Sequence, residues 1–310
     1  MNNTTQETER YASVLSDAGF RAVLADSRNK DILIEIINLL LNGERVIKDL
    51  TYRNEDLAPN VLGKKEIRLD LYCVDESGAG FVVEMQKERH SEFFAKRSIY
   101  YGSRAMDLQV DKGSTSYDYQ PVYVIGLLEG RLGPESFADG KLDDASHPIS
   151  YYDMTNRRTG KRMVPTISCI FVELGNFTKR AEECCGRLDE CLYIIKNSSM
   201  LQAMPFASDG DIADRLLTAC EVAGFDANKR IRYNNDKMSE IDRKYEMAKE
   251  RAEGRAEGRA EGIAQGIAEG KSEGRTEVAR TMLADGLDCS FVSKYSGLSI
   301  DQVEKLRQSL

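Results

Sequence analysis

The stretch from Glu66 to Gln86, EIRLDLYCVDESGAGFVVEMQ, admits few structures. Two alternating runs flank DESGAG, a segment rich in Asp, Ser and Gly, as a chain reversal requires. A strand turns successive side chains to opposite faces. Ile67, Leu69, Leu71 and Cys73 therefore share one face of the first strand, and Arg68, Asp70 and Tyr72 share the other. In the second strand Phe81, Val83 and Met85 oppose Val82, Glu84 and Gln86. If the apolar faces coincide, Asp70, Glu84 and Gln86 lie on the same side of the sheet. Direct pairing of Asp70 with Glu84 would set their Cβ atoms roughly 5 Å apart. That spacing suits two carboxylates gripping one hard cation. The plain alternative is an amphipathic hairpin whose polar face simply meets water.

The flanking sequence supplies the rest of an α/β unit. A helix is expected from about Ser27 to Asn42, with Asp31, Glu35, Asn38 and Asn42 in one narrow polar stripe. Glu35 interrupts an otherwise apolar helix, where a carboxylate needs a partner or a metal. A strand near Val46–Tyr52 precedes the hairpin. A helix from about Glu92 to Val110 follows it, with Arg97, Tyr101 and Arg104 on one face by their i, i+4, i+7 spacing. PVYVIGLLEG then reads as a buried strand, and PISYYDM and MVPTISCIFVEL extend the sheet. The expected core order is helix, three strands, helix, strand, with a mixed sheet.

Composition narrows the chemistry. The chain has two histidines, His90 and His147, and neither sits in a metalloprotease or triad motif. Catalysis, if present, falls to carboxylates. Lys and Arg number 43 against 51 Asp and Glu, a net charge of −8, so nucleic acid would need a local basic patch. The seven cysteines include the pair Cys184-Cys185 but no CxxC, and read as reduced thiols, mostly core filler. The longest apolar run, Ile32 to Leu41, contains Glu35 and Asn38 and falls short of the ~20 residues that span a bilayer. MNNTTQETER lacks a signal-peptide pattern, so a cytoplasmic location with no membrane partner is expected.

The chain divides by pattern into a flexible N-terminus at 1–16, an α/β domain at 17–177, a helical region at 178–250, a repeat at 251–275 and a small helical unit at 276–310. In the repeat, glycine recurs every fourth position from Gly254 to Gly274. Six helical glycines cost about 5–6 kcal/mol relative to alanine. Close packing of small residues would offset that, and a four-residue period favours right-handed wrapping. The repeat is therefore expected to be a self-association arm or helical spacer, making the protein a homo-oligomer through its helical C-terminal region. A flexible linker of mixed charge is the alternative. The last segment reads as short helices near Glu277–Ala284, Ser290–Tyr295 and Asp301–Gln308, with Ser299 as a cap. Its final helix carries only Lys305 and Arg307 as basic residues, which favours a protein-packing unit over a DNA reader.

DAGFRAVLADSRNKDILIEIINLLLNG, IRLDLYCVDESGAGFVVEMQ, FFAKRSIYYGSRAMDLQVDKG and PVYVIGLL together resemble the PD-(D/E)XK nuclease superfamily, and within it the recombination-promoting nuclease and transposase family. The resemblance covers roughly residues 17–177. It implies a restriction-endonuclease-like αβββαβ core and a divalent-metal-dependent DNA endonuclease, associated with recombination or mobile elements. It further implies Asp70 and Glu84 as ligands of Mg²⁺, with Mn²⁺ as a substitute, and Glu35 as an auxiliary acid. Gln86 stands where the general motif has lysine, and would position water or phosphate. Arg97, Tyr100, Tyr101 and Arg104 match a region expected to contact DNA. Glutamine brings hydrogen bonds but no charge. Lys65 and Lys87 are the nearby cations, though Lys87 points to the other face of a regular strand. A catalytically inactive nuclease fold, serving as a DNA-binding or oligomeric assembly module, is the rival reading.

Overall fold

The computed structural model describes residues 9–53, 56–57, 67–87, 93–110, 117–142, 146–163, 167–207 and 210–309. The chain forms two compact units, Met1–Met238 and Ser239–Leu310.

In the first unit, helix α1 (Asp17–Val23) begins where the Ser16 hydroxyl accepts from the Gly19 N–H at 3.0 Å. A single 3₁₀ turn, Ser27–Asn29, replaces the first turn of the next expected helix. Helix α2 (Lys30–Leu41) buries Ile32, Leu33, Ile36, Ile37, Leu40 and Leu41, and Asn42 ends it in the left-handed conformation. The Asn38 amide clasps both the N–H and the carbonyl of Ile47, at 2.8 and 2.9 Å, which steers the chain towards the sheet.

The strands are β1 (Leu50–Tyr52), β2 (Asp56–Leu57), β3 (Ile67–Arg68), β4 (Leu71–Asp75), β5 (Gly80–Gln86), β6 (Val122–Leu128), β7 (Ile149–Tyr152) and β8 (Ile167–Glu173), with helix α3 (Phe94–Asp107) between β5 and β6. Six of them form a mixed sheet in the order β1-β4-β5-β6-β8-β7. The β1/β4, β4/β5 and β7/β8 pairs are antiparallel, while β5/β6 and β6/β8 are parallel. This is the mixed α/β sheet anticipated from the hairpin and its flanks. Two details differ. The first strand is only three residues long, and the expected hairpin strand breaks at Leu69–Asp70 between β3 and β4. Because of that break, Leu69 joins Tyr72 and Val82 on the α3 side, away from Leu71 and Cys73.

The sheet is covered on both faces. On one side Leu71, Cys73, Phe81, Val83, Met85, Tyr123, Ile125 and Leu127 pack with α2 and with helices α4 (Arg187–Asn197) and α5 (Ile212–Ala219). On the other, Val82, Val122, Val124, Cys169 and Phe171 pack against α3. Two glycines let α3 approach this closely. A Cβ on Gly126 of β6 would lie 2.3 Å from the Phe94 ring, and one on Gly102 of α3 would lie 2.8 Å from the Ile167 side chain.

The N-terminal segment corrects one expectation. Residues 9–16 are anchored: Tyr11, Ala12, Val14 and Leu15 are buried, and the Ala12 N–H donates to the Cys220 carbonyl at 2.7 Å. The segment runs beside the chain that leaves α5, where Tyr11 forms a β-bridge with Glu221. The helices after residue 177 share this core through Tyr233, near the start of helix α6 (Ala227–Ala284).

In the second unit α6 continues unbroken through the glycine repeat, so these residues are helical. Beyond the helix's own neighbouring backbone, no atom of the described residues lies within 4 Å of a Cβ placed on Gly254, Gly258, Gly262, Gly266, Gly270 or Gly274. Helices α7 (Cys289–Ser296) and α8 (Ile300–Gln308) fold back around Ala279, Val292 and Val303. Asp288 caps α7, and Ser299 with Gln302 forms the capping box of α8. Among the described residues, no helix is long and apolar enough to cross a membrane.

Candidate active site

The β4–β5 register ends with Leu71 opposite Val83, and the chain just before it brings the Asp70 backbone against the Glu84 carboxylate. The two acids are interlocked through the backbone. The Asp70 N–H donates to Glu84 Oε1 at 3.0 Å, and the Met85 N–H donates to Asp70 Oδ2 at 3.0 Å. The break in the strand at Asp70 thus places its carboxylate beside β5.

These groups do not form a solvated polar face. Helix α3 covers this side of the sheet, leaving Glu84 only 3% and Gln86 only 8% exposed. Burial pushes the Glu84 carboxyl well above the usual carboxylate range, and the neighbouring Asp70 charge adds to the rise. Backbone donation from Asp70 and the charges of Arg97 and Arg21 act the other way without cancelling it.

Gln86 is fixed at both ends. Its Nε2 donates to the Met85 carbonyl at 2.8 Å, and its Oε1 accepts from Arg97 Nη2. The Arg97 guanidinium also lies over the Phe94 ring, 5.7 Å from its centre. One turn along α3, burial raises the Tyr101 hydroxyl pKa. The Glu84 and Asp70 charges add to that rise, while Arg97 opposes it. The structure therefore brings Asp70, Glu84, Gln86, Arg97 and Tyr101 together. Arg104 is bound to Asp107 at 2.9 Å on the same helix.

Glu35 has other company. Its two carboxylate oxygens are engaged by Arg187 and Arg215, from α4 and α5. Arg187 also reaches Asp211 at 3.0 Å, and Arg215 reaches Asp31 at 2.5 Å. The carboxylate on an apolar helix has found its partners in two guanidiniums of the helical region. Lys65 lies outside the described residues.

Sequence reasoning passed over Arg21. Its Nη2 lies 3.9 Å from Asp70 Oδ1, which brings a cation to the acidic pair from α1. The only signal was a basic residue in the last turn of a short amphipathic helix, and nothing local linked it to Asp70.

The donor set is two adjacent carboxylates and an amide, all hard oxygen donors. Among the described residues no three His, Cys, Asp or Glu side chains gather into a metal-holding group. Two carboxylates fit an ion that keeps water and phosphate oxygens as its other ligands, as Mg²⁺ does, and not a four-ligand structural zinc. The raised Glu84 carboxyl fits the same conclusion, since a divalent cation would favour its ionised form.

A mixed sheet flanked by helices, with paired acids meeting where β4 enters the sheet beside β5, is consistent with an α/β fold of the PD-(D/E)XK type. Residues 14–250 match the family model described as PD-(D/E)XK nuclease family transposase, and the chain belongs to that family. The match runs past residue 177 to include α4, α5 and the first part of α6. No curated protein and no solved structure matches the chain. The family implies a nuclease or mobile-element role with DNA as partner, and its members generally use divalent metals.

Proposed function

We propose that this protein is a divalent-metal-dependent DNA endonuclease that hydrolyses phosphodiester bonds, in recombination or the life of a mobile element. The observation that carries the reading is the interlocked pair of Asp70 and Glu84, with Glu84 buried and Gln86 and Arg97 clamped beside it. Asp70 and Glu84 would hold Mg²⁺, or Mn²⁺ in its place. Such an ion, when bound, supplies Lewis-acid stabilisation of the phosphate and favours deprotonation of water. Gln86, held by the Met85 carbonyl and Arg97, orients the water or a phosphate oxygen. Arg97 brings to this position the positive charge that glutamine lacks. Arg21 adds a second cation next to Asp70. Glu35 we assign to the α2–α4–α5 ion-pair network in place of an auxiliary acid role.

The test is nicking of supercoiled plasmid with Mg²⁺ by the intact protein beside Asp70→Ala. The reading expects cleavage by the first alone. Equal nicking by both would remove the site assignment, and no nicking by either would remove the enzyme.

One observation favours the rival, a silent nuclease fold acting as an assembly module: Arg97 occupies the amide oxygen of Gln86. In either case we assign self-association to α6, whose glycine stripe and whose Ile263 and Ile267 are left uncovered by the described residues. Deleting residues 251–275 should lower the mass measured by light scattering, and an unchanged mass would exclude the arm.

A further inference from the structure

Helix α3 carries a second pattern beyond the residues that converge on Asp70 and Glu84. Phe93, Arg97, Tyr100 and Arg104 follow spacings of four, three and four, so they form one face in which aromatic rings alternate with guanidiniums. The rings are not core. Phe93 is 58% exposed and Tyr100 is 42% exposed, whereas Phe94, Ser98, Gly102 and Ala105 take the buried side. The ladder joins the candidate active site directly, because Arg97 donates to Gln86. Arg104, whose side chain is 14% exposed and held by Asp107, flanks the ladder further along the helix, so Arg97 is the guanidinium nearest the site.

Single exposed aromatics are common on protein surfaces. Two of them interleaved with arginines, on the helix that supports the reacting groups, match the chemistry of a single nucleic-acid strand. Guanidiniums meet the phosphates while rings stack on the bases. A duplex keeps its base faces stacked within the helix and offers the rings nothing. At 1.5 Å per residue, Phe93 and Tyr100 lie about 10 Å apart along the axis, equal to three base steps of ~3.4 Å.

We infer that the Phe93–Arg97–Tyr100–Arg104 face of α3 binds unpaired nucleotides beside the scissile phosphate. The preferred substrate is then single-stranded DNA, or duplex DNA with unpaired bases at the cut, over continuous duplex. This rests on the nuclease reading for its meaning but is measured by binding alone.

The test uses the full chain in EDTA at fixed salt, with a fluorescein-labelled oligonucleotide presented as single strand and as blunt duplex, read by anisotropy. The wild-type protein should prefer the single strand. Each ring removed should weaken that binding about 5-fold or more, and Phe93→Ala with Tyr100→Ala roughly 25-fold or more. Duplex binding should change less than about 3-fold, and the salt dependence should keep its slope, because no phosphate contact is lost. Tyr100→Phe should bind as wild type, and Phe93→Leu should keep the fold while losing the stacking. Unchanged single-strand affinity in the double variant would overturn the inference, as would equal losses for both DNAs or a wild-type preference for duplex. If binding behaves as expected but no DNA is cut with Mg²⁺, the nuclease reading fails and the stacking face stands. If cleavage of unpaired substrate survives in the double variant, the stacking face fails and the nuclease reading stands.

Discussion

Replacing Glu84 with glutamine should make the metal-free protein more stable at neutral and alkaline pH, even though it removes a proposed metal ligand. Glutamine keeps the Oε1 acceptor that receives the Asp70 N–H at 3.0 Å, and its amide can donate towards the adjacent Asp70 carboxylate. What disappears above about pH 8 is a buried charge facing a like charge, and below that pH the cost of keeping on Glu84 a proton that the unfolded chain has released. Two carboxylates roughly 5 Å apart at an effective dielectric of ~20 repel by about 3 kcal/mol. Removing the cost of burying the Glu84 charge adds to the gain, and burying an amide takes some away. The expected gain is about 2–3 kcal/mol, or a Tm increase of about 5–10 °C for a unit of this size.

The effect must depend on pH in one direction. In the folded state the Glu84 carboxyl holds its proton from pH 4.5 up to about 8, where the unfolded chain has already released it. Folded protein binds the extra proton across this window, so wild-type stability falls as pH rises through it. Thermal unfolding in EDTA should therefore separate Glu84→Gln from wild type at pH 8 and bring them together near pH 4.5. Adding millimolar Mg²⁺ should raise the wild-type Tm and leave the variant unmoved. A variant less stable than wild type at pH 8, or one whose advantage is the same at both pH values, would refute the reasoning.

Other substitutions divide the site into parts. Arg97→Ala should lower cleavage by roughly 10²–10³-fold, the scale of losing one preorganised donor to developing charge. Gln86→Lys in that background should recover part of the rate, and steady-state nicking assays would show whether it does. Glu35→Gln should cost about 1–3 kcal/mol in urea unfolding by breaking the pairing to Arg187 and Arg215. The rate per folded molecule should stay as it was; a large fall would return Glu35 to the chemistry. Gly126→Ala forces a methyl to within 2.3 Å of the Phe94 ring, and should destabilise by about 1–3 kcal/mol while lowering cleavage through displacement of α3.

What could be read in advance follows the range of the forces involved. The β4–β5 hairpin was legible because alternation and turn chemistry are local, and together they fix which side chains share a face. The proximity of Asp70, Glu84 and Gln86 was therefore open to sequence reasoning, and the structure brings these side chains together. Burial of that face was not legible, because it depends on α3 docking through Gly102 and Gly126, two glycines far apart in sequence. Arg21 and the partners of Glu35 were hidden for the same reason, since ion pairs between distant helices leave no periodic trace. The anchoring of Tyr11 to Leu15 was missed because a short polar N-terminus looks the same whether or not a strand-like partner awaits it at Cys220–Val222. The repeat was legible as a period, and its helical state follows from α6 carrying straight through it.

The central claim is that Asp70 and Glu84 together hold a divalent cation. A crystal of the intact protein soaked in Mn²⁺, with anomalous diffraction measured at the manganese edge, tests it most directly. The account predicts one strong peak within coordination distance of both carboxylates, lost in Asp70→Ala. A peak elsewhere, or none at these two side chains while the soaked protein still cleaves DNA, would contradict it.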